Sequence, residues 1–177
     1  MELPYDQAKL AALVRDVPDF PSPGVVFKDV APLLADPQAF STVIDVLVMA
    51  VGRGTVDRVI GIEARGFILA APVADRLGAG FVPARKAGKL PGRTSSVSYE
   101  LEYGLETLEV QSDAIARDDR VVIIDDVLAT GGTAAAAIEL VTGLGGRVTG
   151  LGFLLELGFL GGAARLTGHD HLSLLSY

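Results

Sequence analysis

Residues 121–133, Val-Val-Ile-Ile-Asp-Asp-Val-Leu-Ala-Thr-Gly-Gly-Thr, constrain the fold of this 177-residue chain more than any other stretch. The β-branched apolar run reads as a buried strand. It empties into two adjacent carboxylates, Asp125 and Asp126, and then into a Thr130-Gly131-Gly132-Thr133 elbow that opens an alanine-rich helix. The first turn of a helix leaves N–H groups unpaired, so the amides from Thr130 to Thr133 are expected to attract an anion. The two acids stand where ribose hydroxyls can donate hydrogen bonds to them. An anion cradle beside a diol clamp fits a 5-phosphoribosyl group. The same stretch also suits an ordinary strand with a solvated acidic end and a helix capped by Thr130 or Thr133. It is not a Walker loop, because no Gly-Lys-Ser/Thr stands at the required spacing.

The length suits one domain with a substantial core, and half the residues are hydrophobic. A net charge of −7 argues against a general nucleic-acid binder, which needs a basic face. An anionic substrate must therefore be held by a few placed cations. The absence of cysteine excludes disulfides, thiolate metal sites and cysteine nucleophiles, and it fits a reducing cytoplasm. Glu2, Asp6 and Lys9 interrupt the first residues, so no secretory signal is expected. No uncharged apolar stretch approaches the roughly 18 residues of a membrane span.

Along the chain, residues 3–17 predict an amphipathic helix stopped by Pro18, and 20–32 a Pro- and Gly-rich segment. A helix is expected over 37–51, with Asp36 as N-cap and Gly52 as stop. Strands are expected over 56–62, 80–84, 121–124 and 148–155, with an edge strand over 172–175, and helices over 67–77 and to about 144. Residues 97–103 and 107–110 alternate about Gly104 like a hairpin. Strands alternating with helices imply a parallel sheet with crossover helices, whose ligands gather at the C-terminal strand ends. Three polar clusters follow apolar strands: 63–66, 85–93 and 125–133.

Arg65, in a Glu-Ala-Arg-Gly turn at a helix start, can grip a phosphate in bidentate fashion, and Gly66 allows close backbone approach. Residues 85–93 concentrate four cations in an acidic protein and read as a loop, either simply solvated or able to close over a polyphosphate about Gly88 and Gly92. His169 and His171 lack an evident third ligand and read as turn residues. The Ala134 to Ala137 run reads as helix packing.

Wider motifs appear in order: Phe20-Pro21-Ser22-Pro23-Gly24-Val25-Val26-Phe27-Lys28-Asp29, Glu63-Ala64-Arg65-Gly66-Phe67, Arg85-Lys86-Ala87-Gly88-Lys89-Leu90-Pro91-Gly92 and Tyr99-Glu100-Leu101-Glu102-Tyr103-Gly104. With residues 121–133, they make the chain resemble the adenine phosphoribosyltransferases, of the type I phosphoribosyltransferase family, across nearly its whole length. The resemblance implies an α/β fold in which helices flank a central, mostly parallel sheet, with a small N-terminal hood and a flexible catalytic loop and hairpin. The chain would be a single domain, 1–177, with the hood at about 1–35 and the core at about 36–177.

The implied reaction is adenine plus 5-phosphoribosyl 1-pyrophosphate (PRPP) giving AMP and pyrophosphate, with Mg²⁺ carried mainly by PRPP. By position, Ala129, Thr130, Gly131, Gly132 and Thr133 would hold the 5-phosphate, and Asp125 and Asp126 the ribose hydroxyls. Arg65, Lys86 and Lys89 would face pyrophosphate. Phe27 and Leu157 would sandwich the purine, backbone groups at Val26 would read its 6-amino edge, and Lys28 stands where relatives commonly carry arginine. Ala64 stands where relatives often carry serine. Glu102 would approach the imidazole side of the base, and with Arg65 and Lys89 would carry catalysis. A cytoplasmic homodimer with no nucleic-acid or membrane partner is implied. A 6-oxopurine phosphoribosyltransferase stays open as an alternative, although relatives of that kind use a lysine to reach O6 and no cation lies between Arg147 and Arg165. A non-catalytic PRPP-sensing regulator is a second alternative, and it lacks a basic recognition helix in the first 50 residues.

Overall fold

The computed structural model describes residues 5–100 and 104–177, which divide into two compact units at 46/47. In the N-terminal unit, Asp6 accepts a hydrogen bond from the Lys9 amide at 3.2 Å and caps helix α1, Gln7–Ala11. The helix is shorter than its amphipathic pattern predicts. Strand β1, Arg15–Pro18, takes over and pairs antiparallel with β2, Val26–Asp29. Cross-strand ion pairs fasten the ribbon, Arg15 to Asp29 at 2.6 Å and Lys28 to Asp16 at 2.7 Å, and the Phe20 and Phe27 rings meet edge to face at 5.2 Å. Ribbon pairing thus overrides the helical pattern at residues 15–17. Helix α2, Ala31–Ala35, begins at the end of the Pro-rich segment.

Helix α3, Pro37–Val51, begins as its sequence indicates, with Asp36 accepting from the Gln38 and Ala39 amides at 2.9 and 2.8 Å. Gly52, left-handed at φ +84°, follows its end.

In the larger unit, strands β3 (Arg58–Ile62), β4 (Gly80–Lys86), β5 (Thr94–Glu100), β6 (Leu105–Gln111), β7 (Arg120–Leu128), β8 (Arg147–Glu156) and β9 (His171–Ser176) form one sheet in the order β5-β6-β4-β3-β7-β8-β9. The five strands from β4 to β9 run parallel, and the antiparallel β5–β6 hairpin extends the β4 edge. Helices α4, Gly66–Leu77, and α5, Gly132–Gly143, are the crossovers. Central strands buried on both faces carry unbroken apolar runs. Val121 and Ile123 join Ala134, Ala137, Leu140 and Val141 of α5 in one core cluster. On the other face the Ile124 side chain lies beside Gly152 together with Leu47. Ala134, Ala136 and Ala137 are buried, and small side chains there allow α5 a close approach to the sheet.

Three sequence boundaries move. Strand β4 runs through Arg85 and Lys86, so the loop proper begins at Ala87. His171 opens β9 instead of lying in a turn. Strand β7 extends to Leu128 and takes Asp125 and Asp126 inside it, because β8 pairs with it as far as Glu156. Among the described residues no helix is long and apolar enough to cross a membrane.

Candidate active site

The three polar clusters meet at the C-terminal ends of β3, β4 and β7. The bridge between them is the turn Glu63-Ala64-Arg65-Gly66, which leaves β3 and enters α4. Three of its residues, Glu63, Arg65 and Gly66, each meet a different neighbour. Arg65 Nε lies 2.8 Å from Asp126 Oδ2. The pair is an ion pair without the alignment of a hydrogen bond, so Asp126 Oδ2 is buried with no donor aimed at it. Gly66 packs so tightly on β7 that a Cβ there would stand 2.7 Å from Asp125 Oδ1 and 3.0 Å from the Ile124 carbonyl oxygen. The glycine expected to admit a phosphate thus admits the acid strand.

Glu63 gathers the cationic loop. Its carboxylate accepts from Arg85 at 3.1 Å, from Lys89 Nζ at 2.7 Å and from the Lys86 amide at 3.0 Å. These donors, Arg85 first, hold its pKa down to about 2. Lys86 Nζ lies 2.7 Å from Glu106 on β6, and this bond raises the lysine's pKa. The residues read as pyrophosphate ligands are therefore pre-placed by carboxylates, and sequence reasoning did not assign those two anchors. Glu63 was legible only as part of its motif, and Glu106 depends on the β4–β6 pairing.

The Glu63 contribution to stability has a defined sign. A carboxylate depressed in the fold stabilises fully above its unfolded value of about 4.3 and loses that contribution as pH falls through its folded value. Glu63→Gln is therefore expected to lower stability at neutral pH and to flatten the loss between about pH 4 and pH 2. Urea unfolding across that range checks it, and an unchanged acid limb would remove Glu63 as the loop's anchor.

Burial pushes the Asp125 carboxyl well above the usual range, and the neighbouring Asp126 charge adds to the rise. Burial also raises Asp126, against the opposing pull of Arg65. An acid pair kept partly desolvated favours arriving hydrogen-bond donors or cations, which pay back the unfavourable charge.

Beyond β7, residues 129–133 form the elbow. Gly131 occupies the N-cap of α5 in the left-handed region, φ +79°, and no side chain caps the helix. Neither Thr130 nor Thr133 is the cap. The first helical bond runs from the Ala135 amide to the Gly131 carbonyl at 2.9 Å, which leaves the preceding amides for another acceptor. A cavity of about 50 Å³ is lined here by Asp125, Thr130, Gly131, Thr133 and neighbours, a size for a tetrahedral oxyanion. The loop is backed by the 3₁₀ turn Gly162–Leu166. A Cβ on Gly131 would collide with the Gly162 carbonyl, and one on Gly162 with the Ala129 carbonyl. Gly162 escaped sequence reasoning, and its Gly161-Gly162 pairing was the available signal.

Leu157 follows β8, and its amide donates to the Leu128 carbonyl at 2.9 Å, so it is tied to the end of the acid strand. Val26, Phe27 and Lys28 lie on β2 of the N-terminal unit, with Lys28 paired to Asp16. Glu102 lies outside the described residues.

The phosphoribosyl transferase domain model matches residues 33–156. The adenine phosphoribosyltransferase of Acidothermus cellulolyticus is 60% identical over 173 residues, covering 97% of this chain and 98% of its own. The crystal structure of the enzyme of that name from Thermoanaerobacter pseudethanolicus superposes with a TM-score of 0.93 at 48% identity, over 97% of this chain and all of the other. The Saccharomyces cerevisiae enzyme, solved with adenine and an imino-altritol bisphosphate, gives 0.89 at 40% identity over 96% and 98% of the two chains. The sheet order, the acid strand and these likenesses agree: the chain belongs to the adenine phosphoribosyltransferase family, with the type I phosphoribosyltransferase fold.

Proposed function

We propose that this protein is a purine-salvage transferase that converts adenine and PRPP to AMP and pyrophosphate. The observation that carries the proposal is the oxyanion-sized cavity of the 129–133 elbow beside Asp125 and the buried Asp126. The family relatives support adenine over the 6-oxopurines.

In this reading the elbow amides hold the 5-phosphate and the acid pair accepts from the ribose hydroxyls. An imidazole nitrogen of adenine bonds to the anomeric carbon as the carbon–oxygen bond to pyrophosphate breaks. The ribose passes through an oxocarbenium-like state, which the nearby carboxylates favour. Pyrophosphate leaves with growing negative charge, which Arg65, Lys86 and Lys89 receive. The base nitrogen loses its proton in the same event, and Glu102 is the carboxylate we assign to it. Phe27 and Leu157 enclose the purine, Val26 backbone groups read its amino edge, and Lys28 stands beside it.

Asp125 and Asp126 offer oxygen ligands, the kind Mg²⁺ takes, with Asp126 Oδ2 already facing the Arg65 guanidinium at 2.8 Å. The ion would come mainly on PRPP, with the acid pair at its edge, and when bound it neutralises pyrophosphate charge. Closure of the loop and hairpin would exclude water that otherwise hydrolyses PRPP. A homodimer in the cytoplasm is part of the same proposal, supported by the family resemblance and by the lack of cysteine.

The test incubates the protein with PRPP, Mg²⁺ and each purine base and identifies the product by chromatography. AMP formed from adenine in strong preference to the other nucleotides is the expected result. Preferential IMP or GMP formation would replace the base assignment, and no nucleotide from any base would remove the transferase reading.

A further inference from the structure

Thr133 lines the oxyanion-sized cavity, yet its hydroxyl donates to the Tyr99 phenol oxygen at 3.1 Å. Tyr99 belongs to β5, the strand that leads to Glu102. Its ring stands over the start of α5, where a Cβ on Gly132 would lie 3.2 Å from Tyr99 Cδ2 and 3.4 Å from the Glu100 carbonyl oxygen. The hairpin and the elbow therefore touch through this side chain, by ring packing and by one hydroxyl pair.

The two hydroxyls have a donor problem that a phosphate solves in one way. Burial pushes the Tyr99 phenol up, so it keeps its proton at neutral pH and can donate as well as accept. Thr133 has a single hydrogen, and phosphate oxygens only accept. With the cavity filled, Thr133 turns its hydrogen to the phosphate and takes Tyr99's in exchange. The result is a chain from phenol to threonine to phosphate in which each bond polarises the next.

We propose that Tyr99 is a positioning residue for PRPP: it aims the Thr133 hydroxyl at the 5-phosphate and ties the β5–β6 hairpin to an occupied elbow. This rests on reading residues 129–133 as the 5-phosphate site. A tyrosine kept only for packing acts through its ring, which Tyr99→Phe retains, so the phenol oxygen alone is under test.

The experiment measures ribose 5-phosphate binding by calorimetry, together with KM for each substrate, in the unsubstituted protein, Tyr99→Phe, Thr133→Val and the double variant. Tyr99→Phe should raise the Kd for ribose 5-phosphate and the KM for PRPP about three- to tenfold, the range of one neutral hydrogen bond. KM for adenine should stay unchanged, and the thermal midpoint should fall by no more than about 4 °C, the loss of one hydrogen bond. In the Thr133→Val background the phenylalanine should add nothing, since the chain is already broken. Unaltered ribose 5-phosphate affinity in Tyr99→Phe overturns the proposal, as does an effect that persists in full without the Thr133 hydroxyl. If the unsubstituted protein itself fails to bind ribose 5-phosphate, the elbow reading falls and the role of Tyr99 with it. Normal binding by that protein beside an indifferent Tyr99→Phe removes the Tyr99 role alone.

Discussion

Replacing Asp125 and Asp126 together by asparagine should lower kcat/KM at least a hundredfold while leaving the protein folded and no less stable. The functional half follows from charge. A hydrogen bond to an ionised group is worth about 1.5–3 kcal/mol, so weakening two of them gives a loss on the order of 10² to 10⁴. The loss should be larger in kcat than in the KM for PRPP, because positive charge builds on the ribose only near the transition state.

The stability half follows from burial. Both carboxyls are pushed up, chiefly by desolvation. A carboxyl raised in the fold is a stability cost that grows as pH rises above the unfolded value of about 3.9 and through the folded one. The asparagine variant escapes that cost, so its advantage over the unsubstituted protein should widen as pH rises. Arg65, whose side chain is 43% exposed, loses its counter-charge but keeps water. Activity assays and thermal unfolding at several pH values check both halves. Near-normal turnover would show that the diol clamp is misassigned, and a lower midpoint would show that the pair is a structural ion cluster.

Gly131→Ala should remove most activity through geometry alone. The residue sits at φ +79°, where a side chain costs about 1–2 kcal/mol, and its Cβ would also meet the Gly162 backbone. The elbow has to shift, carrying with it the amides proposed to hold the 5-phosphate. A displacement on the order of 1 Å is enough for roughly a hundredfold loss, and the midpoint should fall by about 5 °C or more at this chain length. Gly161→Ala is the control. It too is left-handed, φ +66°, but its Cβ would meet nothing within 4 Å. That variant should show the modest stability loss of strain with little change in KM for PRPP. Equal effects from the two substitutions would mean that collision with the 3₁₀ turn is irrelevant to the elbow.

The architecture was legible from patterns whose cause is local. Apolar runs, the Asp36 cap, Gly52 and Gly104 act within a few residues, so the strands, crossover helices and hairpin could be placed before any pairing was known. Residues 121–133 combine a strand, two acids and a helix start in one short stretch, which is why the elbow and the acid pair were also readable. Boundaries moved where a partner strand imposed itself: β2 turned residues 15–17 from helix to strand, and β8 drew the acids into β7.

The chain order by itself therefore determined the layered α/β plan, the rim on which the polar clusters stand and the 129–133 elbow, because each depends on neighbours in sequence. Tertiary structure alone decided which carboxylate holds which cation, that Gly66 makes room for Asp125, that Gly162 backs the elbow and that Tyr99 meets Thr133. These pairings join residues tens of positions apart, and hydrogen bonds and steric fits over a few ångströms leave no periodicity in a sequence.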